Sequence, residues 1–277
     1  MKTIFLSWVL TGLALLIVIA GLFPLYWIVV AALRPYGTLY TTKIMLFPID
    51  ATLDAFRWLL FESKFFIWLK NSLIVYMVTL FTCMMTVVPA SYTLSRFKFS
   101  GKNSLLSSYF VLSQIMTGMS VMGLIALYTL LLKLQLINSL IVLGLIYAAS
   151  LVPYISWYLK TYFDSLPKDF DEAALVDGAS FFQNLRYVVI PMAKPGIVVA
   201  ITLITVIAWS EWTLASILLG SENFTLAVGL VSLQARWETP WNRFAAMSIL
   251  YAIPIITVFV LAQRYLKAGL TLGGIKG

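Results

Sequence analysis

The most constraining feature of the sequence is a set of long apolar stretches that carry almost no charge. A helix needs about 20 mostly apolar residues to cross a bilayer, and each stretch reaches about that length. The stretches are continuously apolar and do not alternate in short blocks, so helices fit them better than the strands of a membrane barrel. We therefore predict an all-α, polytopic membrane protein with six transmembrane helices, at roughly residues 8–32, 68–93, 104–132, 137–160, 196–219 and 244–263.

Composition supports this class of protein. Hydrophobic residues make up 61% of the chain and charged residues only 11%, which leaves too little polar surface to cover a water-soluble core. The N-terminus begins with Lys2 and an apolar run, as a signal peptide does. That run continues to Leu33, which is too long for the apolar region of a signal peptide, so we predict a first span that is retained.

The distribution of basic residues predicts the orientation in the membrane. Short cytoplasmic loops are rich in Lys and Arg, and both the loop "RFKFSGK" and the C-terminal tail carry basic residues without acids. Basic residues also occur in the first outer loop, but acidic residues lie among them. We expect both termini in the cytoplasm. The net charge of +8 follows from this asymmetry, so we do not expect a nucleic-acid partner.

One polar segment, at about residues 167–191, interrupts the apolar pattern between the fourth and fifth spans. Pro167 and the acids that follow it are typical of the first turn of a helix. Gly178 weakens that helix, and Ser180 with Gln183 has the form of a capping box that starts a second one. Pro191 and Pro195 would then end the segment. The pattern predicts a bent pair of short helices.

Two interpretations of this segment remain open. An amphipathic helix can rest on lipid headgroups, but such helices are usually basic on their polar face. Here acids outnumber bases between Asp164 and Lys194, and the small residues Ala173, Ala174 and Gly178 let another surface approach the backbone. A protein partner fits these features better.

The same residues resemble a known motif. Glu172, Ala173 and Ala174, followed at fixed spacing by Gly178, Val188, Ile190 and Pro191, resemble the "EAA" motif of bacterial and archaeal ABC importer permeases. "SYTLSRFKFSGK", "AWSEW" and "AGLTLGGIKG" are also similar to segments of that family, although Ser210 stands where the family prefers Asn. The chain resembles the smaller permease of the maltose-type carbohydrate uptake subfamily.

This resemblance implies a fold and a role. The fold is the type I ABC importer transmembrane fold, with residues 1–67 as first helix and outer loop and residues 68–277 as the permease core. The segment at 167–191 is a coupling helix that docks in a groove of a cytoplasmic ATPase. Glu172 and Asp177 would make polar contacts, Ala173, Ala174 and Gly178 would allow close approach, Ile190 would complete the motif and Pro191 would form a fixed bend.

The resemblance also implies partners and a location. The chain would work with a second, homologous permease, two copies of the ATPase and an external solute-binding protein, importing a di- or oligosaccharide through the plasma (inner) membrane. No "GxxxxGK[ST]" phosphate-binding pattern occurs in the sequence, so we expect ATP and Mg²⁺ to be bound by the ATPase and no cofactor by this chain.

A second group of residues is a candidate translocation pathway. Glu211 is the only acid well inside a predicted span, roughly 22 Å from Gly196 along a helix. Such carboxylates usually face a bundle interior or a water-filled path, and a structural hydrogen bond at the interface with the second permease is an equal alternative. Trp209, Trp212 and Tyr147 are candidates for stacking on sugar rings or for packing.

Other classes of protein fit less well. The chain has no histidine, no "GxSxG" and no aspartate within a predicted span, so an intramembrane enzyme lacks its usual groups. A stand-alone secondary transporter is the main alternative, although one intramembrane Glu gives it little support. The outer loop at 220–243 either reaches toward the binding protein, as the resemblance implies, or packs on its own bundle.

Overall fold

The structure is a computed structural model that describes residues 2–38, 47–48, 50–117, 121–234 and 238–272. Every regular element within these ranges is helical, as the sequence predicts. The elements are α1 (Lys2–Ala32), α2 (Asp54–Phe61), α3 (Phe65–Arg96), α4 (Lys102–Thr117), α5 (Val121–Lys133), α6 (Leu140–Asp164), α7 (Asp169–Val176), α8 (Phe181–Asn184), a π-helical turn (Leu185–Val189), α9 (Ile190–Met192), α10 (Lys194–Ser210), α11 (Thr213–Leu218), α12 (Leu226–Ser232) and α13 (Trp241–Leu272).

Contacts divide the chain into two compact units. The first unit comprises Met1–Phe66 and Gly229–Ile253, and the second comprises Ile67–Val228 and Pro254–Gly277. The division into residues 1–67 and 68–277 that the sequence favours stays a prediction.

In the first unit, α1 is an apolar helix with little packing of its own. Every side chain from Leu6 to Tyr26 is exposed, as expected of a helix whose side chains contact lipid. Beyond it, the guanidinium carbon of Arg243 lies 4.1 Å from the centre of the Trp58 ring. The Tyr36 hydroxyl donates to a carboxylate oxygen of Glu238 at 3.0 Å. Polar and aromatic contacts therefore stabilise the part of this unit that follows α1.

In the second unit, α3 and α6 run parallel and contact each other closely. Small side chains of α3 donate to carbonyl oxygens of α6 at a constant offset: Thr79 to Gly144 at 3.0 Å, Cys83 to Ala148 at 3.6 Å and Ser91 to Ser156 at 3.0 Å. Small polar residues are typical of helix contacts in membranes because they let backbones approach and give hydrogen bonds where water is absent. The core forms along this contact, with α10 packed against α6.

Four helices are long and apolar enough to cross a membrane, in the part of the chain that the structure describes: Leu6–Ala32, Phe65–Arg96, Leu140–Asp164 and Trp241–Tyr265. A fifth candidate is the bent pair Phe181–Met192 and Lys194–Ser210. The third predicted span corresponds to α4 and α5, and residues 118–120 between them lie outside the described residues. The count of six spans stays a prediction.

The prediction of one continuous helix over 196–219 is wrong. Helix α10 ends at Ser210, and Glu211 has extended backbone angles (φ −74°, ψ 120°) before α11 begins. Glu211 therefore lies at a break between α10 and α11. The C-terminal residues 273–277, part of the tail that resembles sugar importers, lie outside the described residues.

Candidate functional site

The predicted bent pair of short helices is present in residues 169–192, here called the 169–192 segment. Helix α7 ends at Val176, and Gly178 turns the chain with a φ of 81°, a left-handed conformation that favours glycine. The predicted capping box then starts α8: the Ser180 N–H donates to Gln183 Oε1 at 2.8 Å, and the Gln183 N–H donates to Ser180 Oγ at 3.4 Å.

The end of the segment differs from the prediction. Helical turns continue through Pro191 to Met192, and the chain bends by 82° between Phe181–Met192 and Lys194–Ser210. The bend is thus at Ala193, two residues beyond Pro191. A π-helical turn precedes Pro191, with the Ile190 N–H donating to the Leu185 carbonyl. Because proline has no N–H to donate, it interrupts the regular hydrogen bonds of a helix. At Pro191 the π-helical turn has already altered those hydrogen bonds.

A buried polar cluster, formed by Tyr92, Arg96, Asp171 and Asn184, holds the segment against α3. Asp171 Oδ2 accepts from Arg96 Nε at 2.8 Å, and Asp171 Oδ1 accepts from the Tyr92 hydroxyl at 2.9 Å. Asn184 Nδ2 lies within hydrogen-bonding distance of both Asp171 Oδ1, at 3.1 Å, and the Tyr92 oxygen, at 2.8 Å. One carboxylate therefore joins both helices of the bent pair to the end of α3.

Aromatic rings enclose the polar cluster. The centre of the Tyr92 ring lies 6.0 Å from that of Phe163, 6.2 Å from that of Phe97 and 5.5 Å from that of Phe181. Asp171 is only 7% exposed and Asn184 1%. In such surroundings an ion pair interacts strongly, but removing one partner leaves a buried charge at high cost.

The polar cluster still has unmatched hydrogen-bonding groups. Arg96 Nη1 and Asn184 Oδ1 are buried and have no hydrogen-bond partner among the described residues. A buried donor or acceptor without a partner costs about 1–3 kcal/mol. These two atoms therefore offset part of the stabilisation that the other hydrogen bonds of the cluster provide.

The other face of the segment is open and partly apolar. Glu172, Ala173, Asp177 and Gly178, which are predicted to contact the ATPase, are exposed, and Ala174, predicted with them, is half-buried. The motif residues Ile190 and Pro191 are also exposed. The large side chains of Leu175 and Val176 are also exposed, Val176 at 87%. Exposed apolar groups among charged ones are typical of a protein interface.

The structure brings together three of the four predicted pathway residues: Tyr147 and Glu211 are in contact, and both line a small pocket with Trp209. The Tyr147 hydroxyl donates to Glu211 Oε2, and Glu211 Oε1 accepts from the Leu214 N–H at 2.9 Å, at the start of α11. Trp209 is buried and packs edge-on against Tyr76, with ring centres 6.2 Å apart. Trp212 is exposed.

Tyr147 and Glu211 face a cavity of about 580 Å³ among α5, α6, α10 and α11, here called the Glu211 cavity. Neither Trp209 nor Trp212 lines it. Within the described residues, no group of three or more His, Cys, Asp or Glu side chains is arranged to hold a metal ion. The lining residues are Leu124, Tyr147, Ser150, Leu151, Tyr154, Ile207, Ala208, Glu211, Thr213 and Leu214.

Sequence reasoning missed the polar cluster and the cavity. Asp171 is adjacent to the motif residue Glu172, and the sequence gives it only the role of an acid in a first helical turn. The one signal for its partner is Arg96, a basic residue at the end of an apolar run.

Comparison with known proteins assigns the chain to a family. Residues 88–271 match the family described as "binding-protein-dependent transport system inner membrane component". The chain is 31% identical to the diacetylchitobiose uptake system permease protein DasC of Streptomyces coelicolor, over 95% of each chain. It is 34% identical to the galactooligosaccharides transport system permease protein GanQ of Bacillus subtilis, over 92% of this chain and 90% of that one.

A solved structure is also similar. It is the crystal structure of a bacterial ABC transporter involved in the import of the acidic polysaccharide alginate, with a TM-score of 0.77 and 21% identity, over 94% of this chain and 96% of that one. At this identity the likeness concerns the fold. The resemblance drawn from Glu172 to Pro191 is confirmed, and the chain belongs to the family of inner-membrane components of binding-protein-dependent transport systems.

Proposed function

We propose that the chain is one of two permease subunits of an ATP-driven importer that carries a di- or oligosaccharide. The relatives support the substrate class: one is named for diacetylchitobiose, another for galactooligosaccharides and a third, from Yersinia pestis, for maltose and maltodextrin. These sugars differ in their monomers and linkages. What they share is a short, hydroxyl-rich chain.

The 169–192 segment is the coupling element of this importer. The observation that carries the proposal is the contrast between its two faces. One face is fixed to α3 by the buried polar cluster, and the other exposes Leu175 and Val176 beside Glu172 and Asp177. A rigid element of this kind can pass the closure of an ATPase dimer on to the membrane helices, as alternating access requires.

The complex contains a second homologous permease, two ATPase subunits and an external solute-binding protein, and the ATPase subunits bind ATP and Mg²⁺. The parallel contact of α3 and α6 supports one crossing of the membrane between them, made by α4 and α5. That reading gives six spans and places both termini and the 169–192 segment in the cytoplasm, in agreement with the positive-inside rule.

Co-purification tests the proposal. The complete chain is solubilised from its native membrane as wild type, as Val176→Asp and as Phe99→Asp, and the accompanying ATP-binding protein is quantified. Val176 is 87% exposed, so its substitution disturbs no packing within the chain, yet it buries an unpaired charge in the proposed interface. We expect at least tenfold less ATPase with Val176→Asp.

The Phe99→Asp variant is the matched control, because it adds the same charge at an exposed apolar residue in the loop after α3. It should retain the ATPase. Equal recovery with Val176→Asp and wild type would contradict the proposed docking surface. If no ATPase accompanies the wild-type chain, a stand-alone transporter becomes the better interpretation.

A further inference from the structure

The Glu211 cavity is separate from the 169–192 segment and has the dimensions of a ligand site. Its volume of about 580 Å³ falls within the range of about 300–1,000 Å³ that is usual for small-molecule sites. Its wall is largely apolar, with hydroxyl groups and one carboxylate among the lining residues. Such a wall, with a few convergent polar groups, is typical of small-molecule recognition.

Two polar groups of the cavity wall, Glu211 and Ser150, are available to accept hydrogen bonds from a ligand. The Glu211 carboxylate accepts one hydrogen bond at each oxygen, from Leu214 N–H and from Tyr147, and a carboxylate can accept about four. Ser150 Oγ donates its one hydrogen to the Tyr147 carbonyl at 2.8 Å, so toward a ligand this hydroxyl acts as an acceptor. A ligand that supplies several hydroxyl donors matches this arrangement.

Charge narrows the class of ligand further. Glu211 is the only charged residue among the described residues that line the cavity, and no Lys or Arg is among them. A carboxylate on a sugar would face Glu211 with no cation to offset the repulsion. The exposed ring of Tyr154, also in the wall, offers an apolar face to a pyranose ring.

We infer that the Glu211 cavity binds one residue of the transported saccharide and selects neutral sugars over acidic ones. This inference rests on the proposed function. It gives this subunit a substrate contact of its own, with Glu211 and Ser150 as hydrogen-bond acceptors.

Thiol protection in the complete purified complex tests the inference. Ser150→Cys introduces a thiol into the cavity wall, and the chain's own Cys83 is fully buried, at 0% exposure. The rate of alkylation of the introduced thiol is measured with maltotriose, galactobiose or diacetylchitobiose as neutral probes and with a mannuronate disaccharide as the acidic probe. If Ser150→Cys prevents assembly, Thr213→Cys puts a thiol in the same wall.

We expect at least one neutral probe to slow alkylation several-fold and the acidic probe to have no effect. Adding Glu211→Gln should raise the protecting concentration about tenfold, because a hydrogen bond to a charged group is replaced by one to a neutral group. Gln retains an acceptor oxygen for the Leu214 N–H. Glu62→Gln, at an exposed acid outside the cavity, is the matched control and should leave that concentration unchanged.

Two results would overturn the inference: equal protection by the acidic and the neutral probes, or no protection by a sugar that the wild-type complex transports. Uptake of each probe by the wild-type complex is therefore measured in parallel with its binding protein. Absence of uptake for every saccharide would contradict the proposed function itself.

Discussion

Two carboxylates, Asp171 and Glu211, stand near breaks in the helical path, and their surroundings differ. Asp171 is buried and pairs with Arg96 at 2.8 Å. The Tyr92 hydroxyl donates to Asp171, and the Tyr92 ring packs against that of Phe181. Glu211 is half-buried, and its carboxylate accepts hydrogen bonds from two neutral donors, the Tyr147 hydroxyl and the Leu214 N–H.

The partners of each carboxylate determine its role. A carboxylate whose charge is neutralised inside a protein fixes the elements around it, because separating the pair exposes each charge to a low dielectric. A carboxylate that lines a cavity and has only neutral donors for partners keeps free lone pairs with which to bind a ligand. Asp171 therefore anchors the 169–192 segment, and Glu211 serves recognition.

The largest effect is expected from Asp171→Ala. It leaves the Arg96 guanidinium buried without its ion partner, a change that typically costs about 3–5 kcal/mol. The free energy of unfolding of the purified chain measures the loss. Arg96→Gln combined with Asp171→Asn removes both charges and should regain most of that stability. If the double variant is as unstable as Asp171→Ala, the ion pair is not what holds the segment.

A second effect concerns the backbone just after the bend. A Cβ at Gly196 would lie 2.4 Å from Tyr162 Cδ1, so Gly196→Ala forces the ring or α10 to move. Overpacking of this kind typically costs about 1–3 kcal/mol. Gly21→Ala in α1 is the matched control, since its Cβ would meet nothing within 4 Å. Thermal unfolding should show a loss only at Gly196, and equal behaviour of the two variants would mean that α10 does not depend on this close contact.

The smallest effects come from removing one hydroxyl from each site. Tyr92→Phe loses the donor to Asp171 and the contact with Asn184, whereas Tyr147→Phe loses the donor to the half-buried Glu211. We expect about 2 kcal/mol for Tyr92→Phe and about 1 kcal/mol for Tyr147→Phe, because buried unpaired groups cost more than hydrated ones. Denaturant titration of both variants gives the ranking. A larger loss at Tyr147 would reverse the comparison between the two carboxylates.

The sequence predicts features that depend on local pattern. Apolar runs identify the long helices, and the spacing of Ser180 and Gln183 identifies the start of α8. The burial of Asp171 cannot be read in this way. Three acids, Asp171, Glu172 and Asp177, lie within one short stretch, and only tertiary contact with α3, 75 residues away at Arg96, distinguishes the buried one.

The break at Glu211 escaped prediction for a related reason. Apolar residues continue on both sides of it, so the pattern favours an uninterrupted helix. The side chain instead accepts from the Leu214 N–H and from Tyr147, which is 64 residues earlier. A contact between distant parts of the chain stabilises the break, and no local signal reports it.

Cross-linking at Val176 tests the central claim most directly, namely that the 169–192 segment docks on an ATPase. Val176→Cys is introduced into the complete chain, where Cys83 is the only other cysteine and has no exposed surface. Trp212→Cys, an exposed position beyond the far end of α10, is the control.

Native membranes are treated with a short thiol-to-amine cross-linker, and the products are identified by mass spectrometry. We predict a product between Val176→Cys and an ATP-binding protein, and none from Trp212→Cys. Absence of that product, or the same product from both positions, would contradict the claim.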